Sequence, residues 1–252
     1  MVNYFKLACL SFLFISVSAQ SATIQDMFTA IRAEKISQVK KLTKQLGVDA
    51  ADENGKTALM AAAEAPLRGW FFLSGSKNRK IVKYLLTAKA QVNQKDADGR
   101  TALHYHVNKY NLYKYDQNKL DLFLNAGAAA DESDNYGNSP LLLLAKIALP
   151  HNANGPFHKE IAAKLLQRGA DVNRMNMNGE TPLLMASANA QLDLVKLFLS
   201  KGADAKILDM NGLTLPARVA HDYNVQASEI KQIICLLIKA GADGGDLAQL
   251  CK

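Results

Sequence analysis

Asn178-Gly179-Glu180-Thr181-Pro182-Leu183 is a tight turn and a helix start in six residues, and the chain repeats it. Earlier copies read Tyr136-Gly137-Asn138-Ser139-Pro140-Leu141, Asp98-Gly99-Arg100-Thr101-Ala102-Leu103 and Asn54-Gly55-Lys56-Thr57-Ala58-Leu59. A degraded copy follows as Asn211-Gly212-Leu213-Thr214-Leu215-Pro216. Asn or Asp before Gly favours a turn, because glycine takes positive φ without steric cost. Thr or Ser two residues after the Gly predicts an N-cap that accepts from orphan helix amides. Pro140 and Pro182 suit the first helical position, where no hydrogen bond is lost.

A second phrase precedes each turn. It reads Leu166-Gln167-Arg168-Gly169-Ala170-Asp171-Val172-Asn173 and Leu199-Ser200-Lys201-Gly202-Ala203-Asp204, with weaker forms around Gly47, Gly127 and Gly241. A Gly just past an apolar helix suits a left-handed C-terminal cap. Lys89 fills that slot in the second copy; a strained helix end is expected there, at a cost of roughly 1 kcal/mol. Between the phrases lie two short apolar helices, for example 182–190 and 192–200. The pattern resembles the ankyrin repeat, a turn and two antiparallel helices in about 33 residues. Thr181 to Thr214 is 33 residues, and Thr101-Ala102-Leu103-His104 comes nearest to that family's opening motif. The resemblance implies an all-α solenoid of about six helix pairs over residues 20–252. Approximate units are 23–54, 55–98, 99–136, 137–178, 179–211 and 212–252.

The other intervals exceed 33: 44 residues from Thr57 to Thr101, 38 from Thr101 to Ser139 and 42 from Ser139 to Thr181. Gly202 to Gly241 is 39. Each surplus falls between the two helices of a unit, reading as Pro66–Lys80, Lys109–Lys119, Pro150–Lys159 and His221–Ser228. These insertions hold Trp70, Phe71, Phe72, Tyr110, Tyr113, Tyr115, Phe157 and Tyr223. Two explanations stand. The rings fold back as small satellite cores under long loops, or they form a patch for a partner, since Trp and Tyr dominate interface energetics.

Residues 1–19 read as a secretory signal peptide: Lys6, an apolar run Leu7–Val17, then Val17-Ser18-Ala19 as a cleavage site. That run is too short to span a bilayer as a helix, and no later segment is apolar enough to do so. The formal charge of +7 falls to +6 without Lys6. Export argues against a nucleic-acid partner, so the charge reads as a solvated basic face or as attraction to an anionic envelope surface. Beyond the leader only Cys235 and Cys251 remain. In an oxidising compartment they can pair, pinning the last helix with roughly 3 kcal/mol of stabilisation.

The sequence holds no Gly-x-Ser-x-Gly elbow, phosphate-binding glycine loop or His-Glu-x-x-His. His104 and His106 lie two apart on a helix and face different ways, so neither a metal nor any other cofactor is expected. His151, His158 and His221 carry only a weak case for hydrolysis. What the resemblance implies is non-enzymatic protein binding through turn tips and inner helices; the signal-peptide reading places it in the bacterial envelope, with a secreted host-directed factor as the alternative. A monomer in isolation is expected. Tips matching that surface include Arg100, Tyr136, Asn138 and Glu180, with Trp70, Phe71, Phe72, Tyr110, Tyr113 and Tyr115 as a second candidate surface.

Overall fold

The computed structural model of the protein describes residues 21–65, 75–107, 117–147, 156–222 and 227–252. Among them, twelve α-helices form six antiparallel pairs. Inner helices are α1 (Ile24–Arg32), α3 (Ala58–Glu64), α5 (Ala102–Val107), α7 (Pro140–Ala145), α9 (Pro182–Ala188) and α11 (Leu215–Asp222). Outer helices are α2 (Ile36–Leu46), α4 (Gly75–Thr87), α6 (Gln117–Asn125), α8 (Pro156–Gln167), α10 (Leu192–Ser200) and α12 (Ser228–Lys239). Inner helices pack on inner helices of the next pair and outer on outer. The described residues form no strand, only isolated bridges between Ala51 and Thr57 and between Leu208 and Thr214. The expected all-α solenoid is therefore observed.

The recurring phrase explains each inner helix. Thr57, Ser139 and Thr181 are extended N-caps whose hydroxyls accept from the backbone amides of Met60, Leu142 and Leu184. Thr23 does the same for α1, and Asp26 closes a capping box with it. Leu59, Leu103, Leu141 and Leu183 of the phrase are buried in one continuous core; each such burial stabilises the fold by about 1.5–3 kcal/mol.

Inner-helix C-termini are finished by side chains from the following pair. Asn189 Nδ2 donates to Ala145 O at 2.9 Å and Gln191 Nε2 donates to Ile147 O, closing α7. At α3 the donor is Lys119, a buried lysine whose Nζ reaches Ala62 O at 3.0 Å and Asn78 Oδ1 at 3.1 Å. Lys89 adopts φ 69°, the expected left-handed cap without glycine. Glu34 and Ala190 also have positive φ, in the short links from α1 to α2 and from α9 to α10.

The surplus residues do sit between inner and outer helices, but the insertions are narrower than their expected bounds. Helix α4 begins at Gly75, α6 at Gln117 and α8 at Pro156, while α11 runs on to Asp222. The apolar spacing of Ile81, Val82 and Leu85 is continued at its N-terminal side by a polar turn, so helix extends over sequence that composition alone assigns to a loop. Trp70, Phe71, Phe72, Tyr110, Tyr113, Tyr115 and Tyr223 lie outside the described residues, as does the leader. Phe157 is half-buried against the core in the first turn of α8. Cys235 on α12 is bonded to Cys251 at the end of a 3-10 helix, Gly245–Cys251, which packs back on α12.

Candidate recognition groove

Five turn tips share one construction. The side-chain Oδ1 of Asp52, Asp96, Asp134, Asn176 and Asp209 accepts two backbone N–H groups, from the residues two and four places on. Backbone bonds then join tip to tip: Ala97 N to Asn54 O at 2.8 Å, Asn135 N to Asp98 O at 2.8 Å and Met177 N to Tyr136 O at 3.0 Å. Gly137 has φ 79°, and a Cβ there would come within 3.0 Å of Asn176 Cα. Only glycine allows that approach. The first four tips therefore form a continuous line, held to one register by the backbone itself.

Beneath the first tips lies a groove of about 870 Å³. Gln25, Phe28 and Arg32 come from α1, Glu64 from α3, Tyr105 from α5, and Asp52, Asn54, Asp96 and Asp98 from the tips. Three helix pairs thus contribute to one concavity. Lys56 Nζ pairs with Glu64 at 2.6 Å and stands 4.5 Å from the centre of the Tyr105 ring. The Tyr105 hydroxyl donates to Asp96 Oδ2 at 2.6 Å. Burial, then the Asp96 hydrogen bond, pushes that phenol above its ordinary range and keeps it a neutral donor. Four lining carboxylates (Asp52, Glu64, Asp96, Asp98) face two lining cations (Arg32, Lys56), so the groove is acidic in a chain of formal charge +7. The cations concentrate elsewhere: Lys40, Lys41, Lys44, Lys77, Lys80 and Lys83 are exposed on outer helices α2 and α4.

The expected tip residues divide by exposure. Tyr136 is 57% exposed. Arg100 is half-exposed, its Nη1 3.3 Å from Asp98. Glu180 accepts from Lys146 at 2.6 Å and from Asn176 Nδ2 at 2.6 Å, which ties its tip to α7. Asn138 is buried: its Nδ2 donates to both oxygens of Asp134, and its Oδ1 accepts from Asn176 Nδ2 at 2.9 Å. It is placed as a support between tips, because its amide faces the neighbouring turn rather than solvent.

His104, His106 and His158 are buried. Thr101 N donates to His104 Nδ1 at 3.1 Å, so the proton sits on Nε2, which donates to Asn138 O at 3.2 Å in the next unit. Burial lowers the His104 pKa. His106 is buried with its ring 5.5 Å from that of Phe123; burial, reinforced by Lys119, holds its pKa well down. His158 is buried and its pKa is lowered to about 4. His221 is exposed, and His151 lies outside the described residues. Among the described residues no group of three or more His, Cys, Asp or Glu could hold a metal ion, and no helix is long and apolar enough to cross a membrane.

Three overlapping stretches, residues 27–115, 70–176 and 116–211, match the family model for ankyrin repeats in three copies. The chain belongs to the ankyrin repeat family. A crystal structure of an ankyrin repeat domain from Acinetobacter baumannii AYE resembles it over 86% of this chain and 98% of that one, with TM-score 0.64 and 26% identity. An ankyrin repeat protein of variola virus is 32% identical over 122 residues, which is 47% of this chain and 20% of that protein. Human transient receptor potential cation channel subfamily A member 1 is 42% identical over 62 residues, 25% of this chain and 6% of the channel. The likeness thus spans a fifth or less of either curated relative. Ankyrin repeats are typically protein–protein interaction modules, usually without enzymatic activity.

Sequence reasoning did not find the groove's lower wall. Tyr105 carried a signal, since the matching place in other copies holds Ala61, Leu143, Met185 and Arg218. An aromatic with a polar tip at one inner-helix position marks a place where the concave side is built differently.

Proposed function

We propose that this ankyrin repeat protein is a non-enzymatic recognition module of the bacterial envelope, which holds and shields a protein partner along its line of tips and inner helices. The carrying observation is the groove. Side chains from three successive helix pairs converge on it, and its acidic lining stands against the exposed lysines of outer helices α2 and α4. Such a separation of charge orients an incoming partner before contact. The Cys235–Cys251 bond fits an oxidising compartment, and with the leader reading of residues 1–19 it supports periplasmic or secreted material. The insertion aromatics Trp70, Phe71 and Phe72 remain a second proposed contact surface.

In-cell crosslinking of the full chain tests this reading. Envelope fractions are expected to contain the mature protein joined to one specific protein, with the yield reduced at least fivefold in Asp98→Lys. Cytoplasmic retention with both thiols free would remove the envelope placement, and no protein adduct at all would remove the binding role. A second reading rests on the exposed lysines of α2 and α4, whose neighbourhood fits an anionic envelope polymer. Salt-sensitive retention on purified polymer, lost in Lys40→Glu/Lys44→Glu/Lys80→Glu but kept in Asp98→Lys, would favour it.

A further inference from the structure

The exposed large hydrophobic residues described in this chain are Tyr136, Met175, Met177, Leu208 and Met210. Four of the five belong to two successive tips, in matched places: Met175 with Leu208 and Met177 with Met210, each pair 33 residues apart. Met177 and Met210, 77% and 78% exposed, hold the same place in successive copies. Exposed apolar clusters of this kind mark contact sites, and methionine adapts its shape to an apolar partner.

Repeat register places this patch relative to the groove. Ala97 stands two residues before Gly99 and lines the groove; Met177 and Met210 stand two residues before Gly179 and Gly212. Asp98, one residue before Gly99, also lines the groove, and Tyr136 holds the same place before Gly137. Backbone bonds link the tips at 54–97, 98–135 and 136–177, so equivalent positions continue along one side of the array as far as Met177; Met210 holds the matching sequence place in the next copy. That side starts acidic at Asp52, Asp96 and Asp98 and becomes apolar at Tyr136 and Met177, with Met210 exposed at the matching place of the following tip.

We infer that the partner presents an elongated segment with two chemistries, cationic residues over the first three helix pairs and apolar residues over the tips at Met177 and Met210. This rests on the protein-binding reading above and sharpens it to a class of segment. Charge complementarity fixes the first half of the assignment, since the groove is acidic while the chain as a whole is basic. The exposed Met pair fixes the second. Packed helices advance by about 8–10 Å per pair, so the two steps from Asp98 to Met177 span roughly 16–20 Å. An extended chain covers about 3.3 Å per residue, which separates the cationic and apolar clusters by about five or six residues.

Fluorescence anisotropy with synthetic peptides and the full mature chain tests the inference. The probe carries three Arg/Lys at one end and three Leu/Phe at the other, separated by six Gly/Ser/Thr residues; companions carry only one cluster, or both clusters adjoining. The spaced probe is expected to bind at least fivefold more tightly than each companion. Met177→Asp/Met210→Asp is expected to remove that advantage while leaving salt-sensitive binding of the cationic companion intact, and Asp98→Lys to do the reverse. Both sites are exposed, and an unchanged thermal midpoint verifies that the variants fold. Equal binding of spaced and adjoining probes, or no more loss in the Met double variant than in Lys83→Asp on the opposite side, would overturn the inference. A protein adduct still recovered in cells would then leave the broader binding role standing, whereas its absence would remove both.

Discussion

Single residues in this array are decided by backbone sign and by burial. Lys89 takes the left-handed conformation at φ 69° that glycines hold after α6, α8 and α10. Lys89→Gly is therefore expected to stabilise the protein by up to about 1 kcal/mol, and Gly137→Ala to destabilise it by about 2 kcal/mol, since it adds close contacts to Asn176 and Met177 to the φ penalty. Chemical denaturation of the two variants checks the opposite signs. Burial governs His158, whose pKa of about 4 lies below the ordinary 6.5 of an unfolded chain. Between those values the unfolded state binds more protons, so stability is full above pH 6.5 and is lost as pH falls toward 4. Its share at the acid limit is about 3 kcal/mol. His158→Phe is expected to flatten that part of the stability curve while changing little at pH 7.5, where the ring is neutral. His104 and His106 shift in the same direction and leave a residual slope. Identical pH dependence in variant and parent would contradict the assignment.

At the level of elements, helices are finished by their neighbours. Lys119 donates from α6 to carbonyls at the end of α3, as Asn189 and Gln191 do for α7. Lys119→Met keeps the bulk but removes the donor, and is expected to cost about 2–3 kcal/mol because buried acceptors lose their partner; thermal unfolding reads this. The signals that sequence carried were local ones. Asn-Gly and Asp-Gly with Thr or Ser two places on specified turn, cap and helix start without reference to anything distant, so the helix pairs, their order and the strained cap at Lys89 were legible. What was not legible depended on the neighbouring unit. Asn138 looked like a solvent tip and is buried, because Asp134 and Asn176 close around its amide. Lys119 looked like an insertion lysine, and only the three-dimensional approach of α6 to α3 shows its role. Glu34 and Ala190 hold positive φ without a glycine to announce it. The groove was half legible: its tips followed from the phrase, but Arg32, Glu64 and Tyr105 meet them only through stacking.

Across the whole molecule, the main helix contacts among the described residues run within a pair or to the next pair, so stability is close to a sum of units and interfaces. The Cys235–Cys251 bond closes a short span, its ends 16 positions apart in sequence, and is expected to contribute about 3 kcal/mol. Reduction is then expected to speed amide exchange in residues 227–252 before it affects α3 to α7; uniform acceleration would show instead that the array unfolds as one unit. The same linear construction makes a long recognition side, acidic under the first tips and apolar at Met177 and Met210, with the cations of α2 and α4 turned elsewhere. Site-specific photo-crosslinking from the full chain in cells reads that side directly, with the crosslinker at Asp98, Tyr136 or Met210 and, as the opposite-side control, at Lys83. The account predicts one and the same protein adduct from Asp98, Tyr136 and Met210 and none from Lys83. Adducts from Lys83 alone, or from none of the four positions, would contradict it.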